Sequence, residues 1–130
     1  SFKLVNMKIG LDIHGVIDAA PEFFSELTSA LINAENEIHI LTGATLKDGK
    51  VEKLLYDLNI SYSYLFSIVD YNADNGILIE YIDGQPWMDD VLWDKAKGDY
   101  CTEFGIDIMI DDTLRYSNYT KCKFLHAKII

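Results

Sequence analysis

Residues 7–18, MKIGLDIHGVID, drive an apolar run, Ile9-Gly10-Leu11, into a single acidic residue, Asp12, and continue at once with Ile13-His14-Gly15-Val16. Such a run, closed by a glycine-containing loop, reads as a buried strand and the turn that leaves it. A carboxylate at the tip of a buried strand is costly to desolvate unpaired, so Asp12 requires a metal, a cation or hydrogen-bond donors beyond the sheet edge. Upstream, residues 1–6 are native sequence, or a tag or flexible leader.

Downstream, the chain alternates. Pro21 suits the first turn of a helix, and Phe23, Leu27, Ala30, Leu31 and Ala34 recur at helical spacing through Asn36. Residues 37–43, EIHILTG, follow as a short apolar strand closing on Thr42-Gly43. Val51, Leu54, Leu55 and Leu58 predict a second amphipathic helix over 48–58, and 65–69, LFSIV, a third strand. Between Asp70 and Trp93 the rhythm breaks: Asn72 to Gly76 is turn chemistry, Ile77 to Ile82 is strand-like, and Asp83-Gly84 is a strong turn signal. Helical character resumes over 94–104, with Gly98 blurring its start and Gly105 as its C-cap. The run Ile106 to Ile110 is a fourth strand that leads straight into Asp111-Asp112, and 123–127 a short fifth. A β-α-β-α-β order argues for a parallel sheet with right-handed crossovers and helices on both faces. The predicted fold is therefore a single-domain, Rossmann-like three-layer α/β/α architecture over residues 1–130. Its sheet is mostly parallel, with a small β-excursion around residues 70–93.

Composition is that of an ordinary globular chain: 130 residues, 49% hydrophobic and 25% charged. The net charge of −10 argues against nucleic acid and anionic membranes as partners, and leaves a small anionic ligand open if a metal or cationic pocket intervenes. Cys101 and Cys122 form neither a disulfide framework nor a zinc spacing and read as two reduced thiols, which suits a cytoplasmic protein. No run approaches the roughly 18 apolar residues of a membrane helix. Oligomeric state is not encoded in any feature of the sequence.

In open parallel sheets, ligands bind beyond the carboxyl ends of the strands, where loops and helix N-termini converge. Four features map to that edge: Asp12 with the His14-Gly15 loop, Thr42-Gly43, a lysine of the fourth helix (Lys97 or Lys95), and Asp111-Asp112. In these residues the chain resembles the haloacid dehalogenase-like superfamily, over about Met7 to Arg115. Asp12-Ile-His-Gly-Val-Ile is similar to the first motif of that family, Ile-Leu-Thr42-Gly to the second, Lys97 to the third and Met-Ile-Asp111-Asp112 to the fourth. Neither the loop after Asp12 nor the 70–93 excursion has room for a full cap domain.

The resemblance implies a small Mg²⁺-dependent phosphomonoester hydrolase acting on a phosphorylated metabolite or nucleotide, with Asp12 forming an aspartyl-phosphate that water then hydrolyses. It implies Mg²⁺ held by Asp12, the His14 backbone carbonyl and Asp112, with Asp111 as an alternate ligand. Thr42, Gly43 and Lys97 would hold phosphate oxygens, and Lys97 is favoured over Lys95 by its distance from the Gly105-Ile-Asp segment. One departure stands out: His14 occupies the position where the family's phosphatases carry a second Asp. Histidine can serve there as general acid and base, and the alternatives are a relative that binds Mg²⁺ and phosphate or nucleotide without efficient turnover, or a phosphotransferase. A response-regulator receiver is excluded by order, since its acidic pair follows the first strand, whereas Asp111-Asp112 follows the fourth. His39 reads as a satisfied strand residue, and His126 has no ligand spacing with His14. The aromatics Trp87, Trp93, Tyr62, Tyr64, Tyr71 and Tyr81 serve packing or line an entrance where a base stacks. The 70–93 excursion and Arg115 are the candidate selectors of substrate.

Overall fold

The computed structural model describes residues 6–130, so the expected leader at 1–6 lies, for residues 1–5, outside the described residues. The elements run β1 (Lys8–Leu11), α1 (Pro21–Asn33), β2 (Glu37–Thr42), α2 (Lys50–Asp57), β3 (Tyr64–Ser67), α3 (Ile68–Asp74), β4 (Glu80–Ile82), β5 (Gln85–Trp87), α4 (Asp90–Phe104), β6 (Ile108–Asp111) and β7 (Lys123–His126). Five strands form one sheet in the order β3-β2-β1-β6-β7, every neighbouring pair parallel, and β4 pairs antiparallel with β5. The predicted three-layer α/β/α class, with its small β-excursion, is the observed one.

Alternation along the strands builds the two faces. Ile9, Leu11, Ile38 and Ile40 pack with Phe24 of α1 and with Val51 and Leu55 of α2. Leu41 and Met109 point the other way, onto Tyr100 and Cys101 of α4. Burying one such aliphatic side chain contributes roughly 1.5–3 kcal/mol, and a one-residue slip would exchange the faces, so the core fixes the register. That register sets Leu11 between Ile40 and Ile110. Asp12 therefore emerges at the carboxyl edge, level with the ends of β2 and β6.

Several boundaries differ from the sequence reading, each for a local reason. The first helix stops at Asn33, short of Asn36, because Glu35 turns left-handed (φ 67) and the Asn36 side-chain carbonyl accepts the Met7 N–H at 3.1 Å, tying the turn to β1. The second helix starts at Lys50, after Asp48 accepts the Lys50 N–H in a local turn at 3.0 Å. The third strand ends at Ser67 instead of Val69. Ser67 Oγ accepts the Asp70 N–H at 3.0 Å and caps α3, a helix the sequence reading missed because Ile68-Val69 continues the apolar run. The hairpin is shorter than expected, and its turn is where Asp83-Gly84 predicted it, with φ of 53 and 76 as a tight primed turn requires. Asp89 accepts the Leu92 N–H at 2.9 Å and starts α4 at Asp90, one turn before Asp94. Gly98 sits inside α4 because the Tyr119 carbonyl occupies the space a Cβ would need. Gly105, at φ 68, is the expected C-cap. β6 starts at Ile108 and takes in Asp111, so Asp112 is the first residue beyond the sheet. Among the described residues no helix is long and apolar enough to cross a membrane.

Candidate functional site

At the carboxyl edge, β1 and β6 deliver Asp12 and Asp111 side by side, and α4 lays Lys97 across them. Lys97 Nζ donates to Asp12 Oδ1 at 2.9 Å and to Asp111 Oδ2 at 2.8 Å. All three are buried, Lys97 at 2% exposure and Asp111 at 0%. Asp111 Oδ1 accepts the Thr113 N–H at 2.9 Å, so both its oxygens are engaged. Burial pushes the Asp12 carboxyl up to about 7, since the Lys97 charge that opposes this is shared with Asp111. Burial pulls the Lys97 ammonium down, but the two carboxylates outweigh it and its pKa is raised. Lys95, the other candidate lysine of α4, lies away from this edge in a cleft with Tyr71 and Asn72.

The loop after Asp12 is held by its own residues. His14 is extended (φ −75, ψ 123) and Gly15 left-handed at φ 85. Asp18 accepts from the Gly15 N–H at 2.8 Å and pairs with His14 Nδ1 at 2.8 Å. The His14 ring is thus turned to Asp18 at the surface, with 68% of the side chain exposed. Gly15 lies directly over the Asp112 carboxylate, and any side chain there would collide with it. Carboxylate oxygens of Asp12, Asp111 and Asp112 all lie within 4.8 Å of one another. Opposite ligands of an octahedral Mg²⁺ stand about 4.2 Å apart, so these hard oxygens would close around that ion only after a small inward shift of the side chains.

The β2 side contributes differently. Thr42 is buried, and its hydroxyl accepts the Ala44 N–H at 3.2 Å, shaping the loop from beneath. Gly43 lies under the Trp93 ring, where a Cβ would stand 2.8 Å from ring carbon Cζ2. Asp70 pins the loop from α3, accepting from Thr45 Oγ1 at 2.6 Å and the Leu46 N–H at 2.8 Å. These parts enclose a pocket of about 600 Å³ that contains Asp12, Asp112, Lys97, Gly43, Trp93 and Lys50 and is overhung by the Asp83-Gly84 hairpin. The Trp93 indole N–H donates to Tyr116 Oη at 2.8 Å, and Lys97 Nζ lies 5.3 Å from the Tyr116 ring centre.

The sequence reading missed Lys50, Thr45, Thr113 and Tyr116. Their only sequence signal is proximity to a strand end, which many residues share. His39 is satisfied by Tyr100 Oη at 2.7 Å and Glu37 at 2.9 Å, and His126 meets the Asp112 carbonyl at 3.1 Å. Of the aromatics, Trp93 and Tyr81 line the pocket, whereas Tyr64 stacks on His39 and Tyr71 packs on Phe66.

No family model and no curated protein sequence matches the chain. Among solved structures it is similar to the crystal structure of a universal stress protein in complex with cAMP, over 98% of this chain and 100% of that one, at a TM-score of 0.55 and 8% sequence identity. At that identity the likeness establishes the shared fold and nothing about this chain's ligand. The comparison corrects the sequence reading of family and reaction. The end-to-end match is to a universal stress protein and no family model matches, so the haloacid dehalogenase-like resemblance is set aside. With it go the phosphatase, phosphotransferase and hydrolase readings, including the aspartyl-phosphate on Asp12. The physical reason is that doubly wound sheets of unrelated activity all gather polar residues at their carboxyl edge. Four short motifs there locate a binding edge without specifying a reaction.

Proposed function

We propose that this chain binds a small phosphorylated nucleotide at the carboxyl edge of its sheet, with Mg²⁺ bridging protein and phosphate. The observation that carries this is that Asp12 and Asp112, with carboxylate oxygens within 4.8 Å of each other, open on a pocket of about 600 Å³, a size suited to a small ligand. A phosphate entering a −10 protein beside Asp12 and Asp112 meets repulsion that the exposed Lys50, and a Lys97 already shared between Asp12 and Asp111, do not cancel. Mg²⁺ supplies the missing positive charge. Asp12, Asp112 and the His14 backbone carbonyl would hold it, while Asp111 stays committed to Lys97 and Thr113. Lys50 and the backbone around Gly43 face the phosphate, and Trp93 and Tyr81 offer aromatic surface to the rest of the ligand. The free thiols Cys101 and Cys122 favour a reducing compartment, which supports a cytoplasmic setting for this binding.

Titration calorimetry with nucleoside mono-, di- and triphosphates, in Mg²⁺ or in EDTA, tests the reading. Binding is expected in Mg²⁺ only and is lost in Asp112→Asn. Equal affinity in EDTA would sink the metal bridge, and absence of binding by every nucleotide would sink the function. The ligand should be recovered intact, and steady phosphate release would replace binding by turnover as the account of the site.

A further inference from the structure

Beside the phosphate pocket lies a second cavity of about 510 Å³, sharing Gln85, Pro86 and Trp93 with it. Trp87 of β5, Met88, Asp90 and Asp94 of α4, and Arg115 complete its walls. Arg115 is held in place: its Nε donates to Asp94 Oδ1 at 2.9 Å, and its guanidinium lies 5.3 Å from the Tyr116 ring centre. With Nε engaged, the Nη groups are left to donate to a ligand. Asp90 adds an exposed carboxylate that accepts, and Trp87, 58% exposed, adds an aromatic ring to the lining.

The chemistry of these walls narrows the occupant. A purely apolar group would desolvate Asp90, Asp94 and Arg115 without return. A compact cation would meet the Arg115 charge. What suits aromatic faces with a fixed donor and a carboxylate at their rim is a flat ring bearing both acceptors and donors on its edge. We propose that this cavity seats the base of a nucleoside monophosphate whose phosphate lies at Asp12 and Asp112, an inference that rests on the phosphate-binding reading above. The hairpin and Arg115 then select the base, while the sheet edge holds the phosphate.

The test compares affinities by calorimetry in Mg²⁺ for inorganic phosphate, ribose 5-phosphate, O-phosphoethanolamine, AMP and GMP. A stacked base adds about tenfold in affinity, so at least one nucleotide should bind that much more tightly than ribose 5-phosphate. Trp87→Ala, a change at an exposed hairpin position, should erase the gain and leave ribose 5-phosphate affinity as it was. Arg115→Gln should reduce it about threefold or more. Ribose 5-phosphate binding as well as both nucleotides would overturn the base pocket while sparing the phosphate site. A gain for O-phosphoethanolamine in place of the nucleotides would overturn it in favour of an amine pocket. No Mg²⁺-dependent binding by any probe would overturn both readings.

Discussion

Replacing Lys97 by Met keeps the length of the side chain and removes the charge that Asp12 and Asp111 share. The ammonium is 2% exposed and makes contacts of 2.9 and 2.8 Å, so no water takes its place without repacking. Breaking a buried ion pair from one side costs about 3–5 kcal/mol. The metal-free protein has a partial escape, because Asp12 already titrates near 7 and can take up a proton to relieve the pair. Keeping that proton costs the variant about 1.4 kcal/mol per pH unit, whereas wild-type Asp12 is already half ionised at pH 7 and loses only about half as much, so the cost should climb between pH 6 and pH 8 by about 1 kcal/mol. Urea unfolding of both proteins in EDTA at pH 6, 7 and 8 measures this, with equal m-values confirming that the same surface is exposed. A loss under about 1 kcal/mol that stays flat across this range would refute the idea that Lys97 neutralises a buried carboxylate pair.

Two further outcomes follow from the same structure. Helix propensity favours Ala over Gly by about 1 kcal/mol, yet Gly98→Ala should destabilise by roughly 1–3 kcal/mol because the Tyr119 carbonyl must move; a raised melting temperature would disprove the contact. Burial lifts the Asp12 carboxyl from its ordinary 3.8 to about 7 in the folded protein. Its stabilisation is therefore fully present below about pH 4 and lost as pH rises to 7, a change on the order of 4 kcal/mol at most. In EDTA, Asp12→Asn should flatten that part of the stability profile and exceed wild type in stability at pH 8, and unfolding curves at pH 5 and pH 8 that keep the wild-type difference would count against it.

Much of the candidate site was legible because strand ends announce themselves. Asp12, Thr42-Gly43 and Asp111-Asp112 each close an apolar run, and parallel pairing of those runs brings the closures to one edge. What these residues do was not legible. Thr42 turned its hydroxyl to the Ala44 N–H, and His14 turned its ring to Asp18, choices made by loop backbones whose geometry no spacing encodes. The resemblance to a phosphatase family failed for a related reason. Its motifs describe an edge that the fold produces whatever the chemistry performed there.

By itself the sequence determined the alternation of strands and helices, the Asp83-Gly84 turn, the Gly105 cap and the carboxylate at the tip of β1. These rest on interactions within a few residues, such as backbone sterics, capping and periodic burial, which are written in order along the chain. Only the tertiary structure decided that Ile68-Val69 turn into α3, that Gly98 yields to Tyr119, and that Lys97 bridges Asp12 and Asp111 across separations of 85 and 14 residues. Those outcomes depend on which surfaces meet after the sheet has assembled. Coulomb energy and excluded volume act through space, so the partner of a buried charge is fixed by packing and not by its neighbours in sequence.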